Sequence, residues 1–376
     1  MFYREAGQYK SSYEADAAVF PLRQDRIAIA AILLVAFVVL PLTASDFVLS
    51  SVMIPILVFS LAAIALNILT GYTGLISLGT AGFMGVGGYA CYKLTSAFPG
   101  INIVVHIALS GFFAAGIGVL FGLPSLRIKG FYLAVATLAA QFFLSWCFIR
   151  VAWLYNYNVS GAIEVPTRTL FGVTITGPTA SPQARYLVVL CFVVVMTWLA
   201  SNLVHGRIGR MWMAVRDMDI AAELIGIKLY QTKLLAFAVS SFYCGVAGAL
   251  MVFLWLGASE ADSFNINQSF LILFMVIIGG LGSLVGSFFG ATFIWGFPIL
   301  LRVLPDYVNA LIANIHGLLY LPGRPIVWVI NSATVEHLQF MFVGALIIFF
   351  LIVEPHGLAR LWQIAKQKLR VWPFPY

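Results

Sequence analysis

Three carboxylates stand within seven residues of this 376-residue chain, Asp217, Asp219 and Glu223, with Arg216 directly before them. Acidic groups so spaced could hold Mg²⁺ against a phosphate, which would make the chain an enzyme working at a membrane surface. That chemistry needs a second acidic cluster on the same side, and the sequence has none. His106, His205, His316, His337 and His356 are scattered, and no pair has ligand spacing with a carboxylate, so no metal site is expected. Cys91, Cys147, Cys191 and Cys244 lie in apolar runs without CxxC spacing and read as buried small hydrophobes. Neither GxxxxGKS nor GxxxxGKT occurs, so the chain is not expected to bind its own nucleotide through a P-loop.

The acidic cluster makes better sense as a surface. Residues 205–233 read HGRIGRMWMAVRDMDIAAELIGIKLYQTK and carry Arg207, Arg210, Arg216, Lys228 and Lys233 besides the three acids. Laid on a single helix, Met211, Val215, Met218, Ala222 and Ile225 form an apolar stripe, with Arg216, Asp219 and Glu223 on a neighbouring face. Gly226 then stops the helix. Such a helix is either an interfacial connector or a docking piece for a partner. Asp219 and Glu223 repel each other at four-residue spacing, a cost that a basic partner surface would relieve.

A second stretch invites chemistry of another kind. Seven glycines and no charge fall in residues 71–88. Small residues let helices approach closely in lipid, which is one reading. The other is a broken or re-entrant segment lining a translocation path, where freed backbone groups face water. On that reading Asn67, Tyr72, Thr73, Ser77 and Thr80 supply hydrogen-bonding side chains, and Gly71, Gly74 and Gly79 supply room. The GVGG at 85–88 is no nucleotide fingerprint, because no strand precedes it.

The elements that must position these segments are membrane spans. Apolar residues make up 62% of the chain and charged residues 9%, with mean hydropathy +0.99, far from a soluble domain. The fold class expected is an all-α polytopic membrane protein of ten spans: 27–44, 47–70, 82–97, 101–123, 131–152, 186–204, 234–256, 268–279, a ninth ending near 304, and a short tenth at 338–353. Pro55 is expected to kink the second span. A connection at 305–337, rich in Trp, Tyr, Leu and Pro, is expected to lie partly in the interface. The first 26 residues, with four positive and four negative charges and no apolar h-region, read as a cytoplasmic segment rather than a removed signal peptide. Residues 27–354 are expected to form the transmembrane domain, with 205–233 as a cytoplasmic loop, and 355–376 a cytoplasmic tail. With both termini inside, fifteen Lys and Arg lie on the inner side against six elsewhere, the expected positive-inside bias. Ion-coupled carriers need ionisable groups in mid-membrane, and these runs have almost none. What remains is a non-enzymatic conduit driven from outside the chain, with a stand-alone channel or secondary carrier for a small polar solute as the rival.

Five motifs in order carry a resemblance: LNILTGYTGLISLGTAGFMGVGGYA, LPSLRIKGFYLAVATLA, GRMWMAVRDMDIAAELIGIKLYQTKLLAFAVSSFYCGVAGAL, MVIIGGLGSLVGSFFGA and VEPHGLARLW. Over most of residues 67–361 the chain resembles the LivM-type permeases of branched-chain amino-acid ABC importers. That resemblance implies a bacterial inner-membrane protein transporting branched-chain amino acids or related amides and carboxylates. It also implies partners: a LivH-type permease, two ATPase subunits that bind the ATP and Mg²⁺, and a periplasmic binding protein that largely sets selectivity. No cofactor is then held by this chain. AAELIGI is similar to the family's coupling motif, which makes Arg216, Asp217, Asp219, Ala221, Ala222, Glu223 and Gly226 ATPase-coupling residues by position. Two departures stand out. NVSGAIEVP replaces the TGG-containing run usual after the fifth span, and the 305–337 connection is longer than in the shortest members.

Overall fold

A computed structural model describes residues 23–126, 132–170, 172–318 and 357–371, together with Ser12 and scattered positions between 337 and 352. Its helices are α1 (Arg26–Thr43), α2 (Val48–Tyr72), α3 (Thr80–Ala97), α4 (Ile103–Ser125), α5 (Tyr132–Arg150) and α6 (Pro182–His205), followed by the short α7 (Arg207–Asp217) and α8 (Asp219–Leu224). Then come α9 (Leu229–Leu256), α10 (Ile266–Gly279), α11 (Leu284–Leu318) and α12 (Gly357–Val371). Among the described residues eight helices are long and apolar enough to cross a membrane. The protein is thus a multi-pass, all-α membrane protein. The third expected span is present as α3 but is not one of the eight. It lies inside the bundle, with Thr80, Tyr89, Tyr92 and Thr95 buried, so protein rather than lipid surrounds its polar groups. The tenth expected span falls mostly outside the described residues.

Two helices form the axis. Most of α2 and α9 is buried, and α3, α4, α6, α10 and α11 pack around them. Helices in lipid gain little from hiding apolar surface, so close backbone approach must do the holding. A Cβ on Gly87 of α3 would sit 2.0 Å from the Gly245 carbonyl oxygen of α9, and one on Gly248 would sit 1.8 Å from that of Met84. No other residue type fits these crossings. Where Pro55 cannot donate to its helix, α2 is wound wider as a π-helix over Val48–Met53. Phe59, Trp255 and Trp295 then lock α2, α9 and α11 together, their ring centroids 5.1–5.8 Å apart.

Three expectations are corrected. The ninth helix does not end near residue 304: α11 runs on to Leu318, about 52 Å of helix for 35 residues. Pro305 removes only one backbone donor, a loss that membrane helices tolerate. Residues 305–318 therefore continue that helix, and 319–336 lie outside the described residues. Second, Cys191 is exposed and Cys147 half-buried, because a lipid-facing helix side is exposed yet apolar; Cys91 and Cys244 are buried. Third, residues 207–224 are not one helix, as described below.

At one end of the bundle, two small ribbons join the loops. β1 (Ile163–Glu164) pairs antiparallel with β4 (Ala258–Ser259), and β2 (Thr169–Leu170) with β3 (Val173–Thr174). The α7–α8 elbow and the turn between α10 and α11 occupy the other end, the one that the charge count marks as cytoplasmic. α12 starts there too, since a Cβ on Gly357 would lie 2.6 Å from the Ile278 carbonyl oxygen and 2.7 Å from the Gly280 amide. In intact cells lacking the native cysteines, an impermeant thiol reagent is expected to label Asp262→Cys but not Ile220→Cys. Labelling of the latter alone would invert the topology.

Candidate functional site

The site forms where α2 stops. Its last turn, Ile68–Tyr72, is again π-helical, and residues 74–79 are non-helical before α3 begins. Gly74 takes φ +72°, and its amide closes onto Thr70 while Leu75 closes onto Leu69. Thr73 Oγ1 donates back to the Ile68 and Leu69 carbonyls. Three amides at the break find side chains of other helices, and a fourth finds one within the break itself. Leu78 donates to Thr137 Oγ1 at 2.9 Å, Ala81 to Ser269 Oγ at 2.9 Å and Gly82 to Gln141 Oε1 at 2.5 Å, while Gly79 donates to Ser77 Oγ at 3.4 Å. Gln141 lies nine residues into α5, about 14 Å along it, so α3 starts well inside the bundle rather than at its surface. Its Nε2 donates in turn to the Phe264 carbonyl at 2.7 Å. Non-helical backbone at that depth is tolerated because α5 and α10 satisfy it.

Asn67, fully buried, spends its amide on the neighbouring turn. Nδ2 donates to the Ser283 carbonyl at 2.8 Å and to Ser287 Oγ at 3.0 Å, and Oδ1 accepts from the Gly282 amide at 2.8 Å. A Cβ on Gly71 would lie 2.0 Å from Asn67 Oδ1 and 2.3 Å from the Gly282 nitrogen. The LTGYTG and GGLGS stretches are therefore pressed backbone to backbone.

Of the residues read as lining a path, Asn67, Gly71, Tyr72, Thr73, Ser77, Gly79 and Thr80 are buried in this junction, and Gly74 is exposed. A Cβ on Gly79 would sit 2.9 Å from the Thr137 carbonyl oxygen, so packing explains that glycine as it explains Gly71.

Beside the junction lies the acidic segment, bent into two helices. Met218 is extended, at φ −154° and ψ 96°, and separates α7 from α8. The single apolar stripe is therefore corrected. Val215 and Ala222 are buried, whereas Met218 and Ile225 are more than 70% exposed. A continuous helix would have turned those four the same way; the kink rotates α8 so that Met218, Ile220, Leu224 and Ile225 all face outward. Gly226, at φ +93°, ends α8, with its amide on the Glu223 carbonyl and that of Ile227 on Ala222. The inner face is anchored by Trp212, which is fully buried and donates from Nε1 to the Thr232 carbonyl at 3.2 Å. Asp217, Ala221 and Glu223 are exposed, and Asp219 is partly so.

Arg216 ties elbow to junction. Its Nη1 donates to the Gly71 carbonyl at 2.8 Å, at the α2 end where the helix leaves carbonyls unpaired and its dipole favours a cation. Nε donates to Asp217 Oδ1 at 2.8 Å, an exposed pair that adds little energy but sets the guanidinium's orientation. A Cβ on Gly74 would meet Arg216 Cγ at 3.1 Å, and one on Gly282 would meet Nη1 at 3.4 Å. One side chain thus touches the elbow, the end of α2 and the α10–α11 turn.

Residues 48–351 match the family model described as the branched-chain amino acid transport system permease component. The chain belongs to this family. The chain is 30% identical over 250 residues to the high-affinity branched-chain amino acid transport system permease protein LivM of Escherichia coli K12, covering 60% of this chain and 57% of that one. The LivM of Salmonella typhimurium matches to the same extent. The probable LivM of Methanocaldococcus jannaschii is 23% identical over 293 residues, 73% of this chain and 77% of that protein. The chain thus spans little more than half the length of its enterobacterial relatives. No solved structure matches this permease.

Sequence reasoning did not single out Thr137, Gln141, Ser269 or Trp212. The signal was present for Gln141, an amide in the apolar run of α5, since a buried amide in lipid demands partners.

Proposed function

We propose that this permease is the membrane subunit of an ATP-driven importer for branched-chain amino acids or related small amides and carboxylates. A LivH-type permease would complete the translocation path, a periplasmic binding protein would deliver substrate, and two separate ATPases would bind ATP and Mg²⁺ and drive the cycle. α7–α8 docks on an ATPase, and Arg216 passes the motion of the dock to α2. The observation that carries the reading is the outward patch of Met218, Ile220, Leu224 and Ile225, apolar side chains left uncovered on a water-facing elbow whose other face is anchored. Glu223, exposed beside the patch, adds charge for a basic partner surface.

The path is gated where α2, the 74–79 break and the α10–α11 turn meet. Asn67 and Gly71 lock α2 to that turn, so displacement of the Gly71 carbonyl by Arg216 must move both together. Vesicles holding the assembled complex are expected to accumulate substrate only with ATP; accumulation by this chain alone under an ion gradient would replace the reading with a secondary carrier. Arg216→Gln keeps the elbow's outer face intact. It is expected to leave ATPase co-purification unchanged while cutting ATP-driven uptake at least tenfold, since a charge-assisted bond contributes about 1.5–3 kcal/mol. Loss of co-purification instead would make Arg216 part of the dock.

A further inference from the structure

Where α12 lies against α11, a groove of about 430 Å³ opens between Phe289 and Phe293 on one side and Leu358, Leu361, Trp362 and Ala365 on the other. The four α12 residues follow a spacing of three, four and seven, so one helix face lines the groove. Leu361 and Trp362 remain 44% and 51% exposed, and Trp362 meets Phe289 edge-on with centroids 5.8 Å apart. Continued one turn, the same face reaches Lys368, and Lys366 lies four residues beyond Trp362. Lys368 is exposed and Lys366 half-buried. From residue 355 to the end the sequence carries Arg360, Lys366, Lys368 and Arg370 and no acidic residue.

We propose that this groove is a binding site for an anionic phospholipid of the inner leaflet, with an acyl chain along Phe289 and Phe293 and the headgroup phosphate at Lys366 and Lys368. Three observations fix the occupant. The lining is apolar and open to the side, so a hydrocarbon chain fits. Cations stand at the far end of the groove face only, which suits a ligand with one charged end. Gly357 abuts Gly280, placing α12 at the same bundle end as Arg216, where the positive-inside count puts the anionic leaflet surface. A basic amphipathic helix with a Trp on its apolar face is the form that lies in such an interface.

The test is native mass spectrometry of the full chain released from nanodiscs of equal parts palmitoyl-oleoyl phosphatidylglycerol and phosphatidylcholine. The wild type is expected to retain phosphatidylglycerol in preference, by roughly 30-fold for two lysines near the headgroup plane. Lys366→Gln combined with Lys368→Gln should abolish the preference while keeping some bound lipid of either kind. Ala365→Phe should fill the groove and lose both. Equal retention of the two lipids by the wild type, or an unchanged preference in the lysine double variant, would overturn the proposal. So would a photo-cross-linker replacing Ala365 in native membranes that captured protein, a second copy or a partner subunit, rather than lipid. None of these readouts depends on transport, so they stand apart from the importer reading.

Discussion

On the proposed reading, Ile220→Asp combined with Leu224→Asp is expected to abolish docking of an ATPase subunit on the elbow while leaving the chain folded and inserted. The two side chains are 74% and 83% exposed. Substitutions at such positions cost a free chain no more than about 0.5 kcal/mol, so the melting temperature and membrane yield should not move. In a docked complex the same side chains would be covered, each contributing about 1.5–3 kcal/mol by burial, and a carboxylate in their place would be desolvated without a partner. The combined loss of at least about 3 kcal/mol corresponds to more than a hundredfold in dissociation constant. Titrating the purified ATPase subunits against wild type and variant in detergent measures it directly. Unchanged affinity would show that the patch meets something else. Comparison with Arg216→Gln separates the two functions assigned to the elbow, because that variant should bind and fail to transport.

The bundle and the elbow were not equally legible in the sequence. Long apolar runs report spans well, because lipid demands a continuous hydrocarbon surface, and eight of the ten expected spans recur as helices within a few residues. The elbow's internal geometry was hidden, since an apolar stripe drawn through Met211, Val215, Met218, Ala222 and Ile225 assumes an unbroken helix. Nothing local marks Met218 as extended. What surrounds the break is tertiary: in α7, Trp212 is held by Thr232 and Arg216 by Gly71, and in α8, Ala222 is buried. The glycine stretch was legible as unusual but ambiguous as to cause. A glycine that lines a path and one that admits a neighbouring backbone look alike until the neighbour is known. Gly282 proved to be that neighbour for Gly71, 211 residues further along the chain.

That ambiguity can now be resolved glycine by glycine, and the expected effects are opposite. Gly71→Ala should destroy the junction. Its methyl group would fall 2.0 Å from Asn67 Oδ1 and 2.3 Å from the Gly282 nitrogen, distances that only backbone separation can relieve. Separation would break the Asn67 bonds to Gly282, Ser283 and Ser287 and leave their buried groups unpaired, at about 1–3 kcal/mol each. Several kcal/mol is a large part of a domain's net stability, so Gly71→Ala should fail to accumulate as an assembled protein. Gly79→Leu, buried against the Thr137 carbonyl, belongs with it. Gly74→Leu does not. Its site is exposed, and the nearest obstacle is the flexible Arg216 side chain at 3.1 Å. The left-handed φ of +72° costs a non-glycine residue about 1–2 kcal/mol, a load the bundle can carry. The new side chain would crowd Arg216 away from the Gly71 carbonyl, so Gly74→Leu should assemble, hydrolyse ATP with its partners and move little substrate. Size-exclusion profiles of the two variants, with ATPase and uptake rates for the survivor, decide the matter. A Gly71→Ala complex that assembled and transported normally would show that the contact between α2 and the α10–α11 turn is not what holds the junction closed.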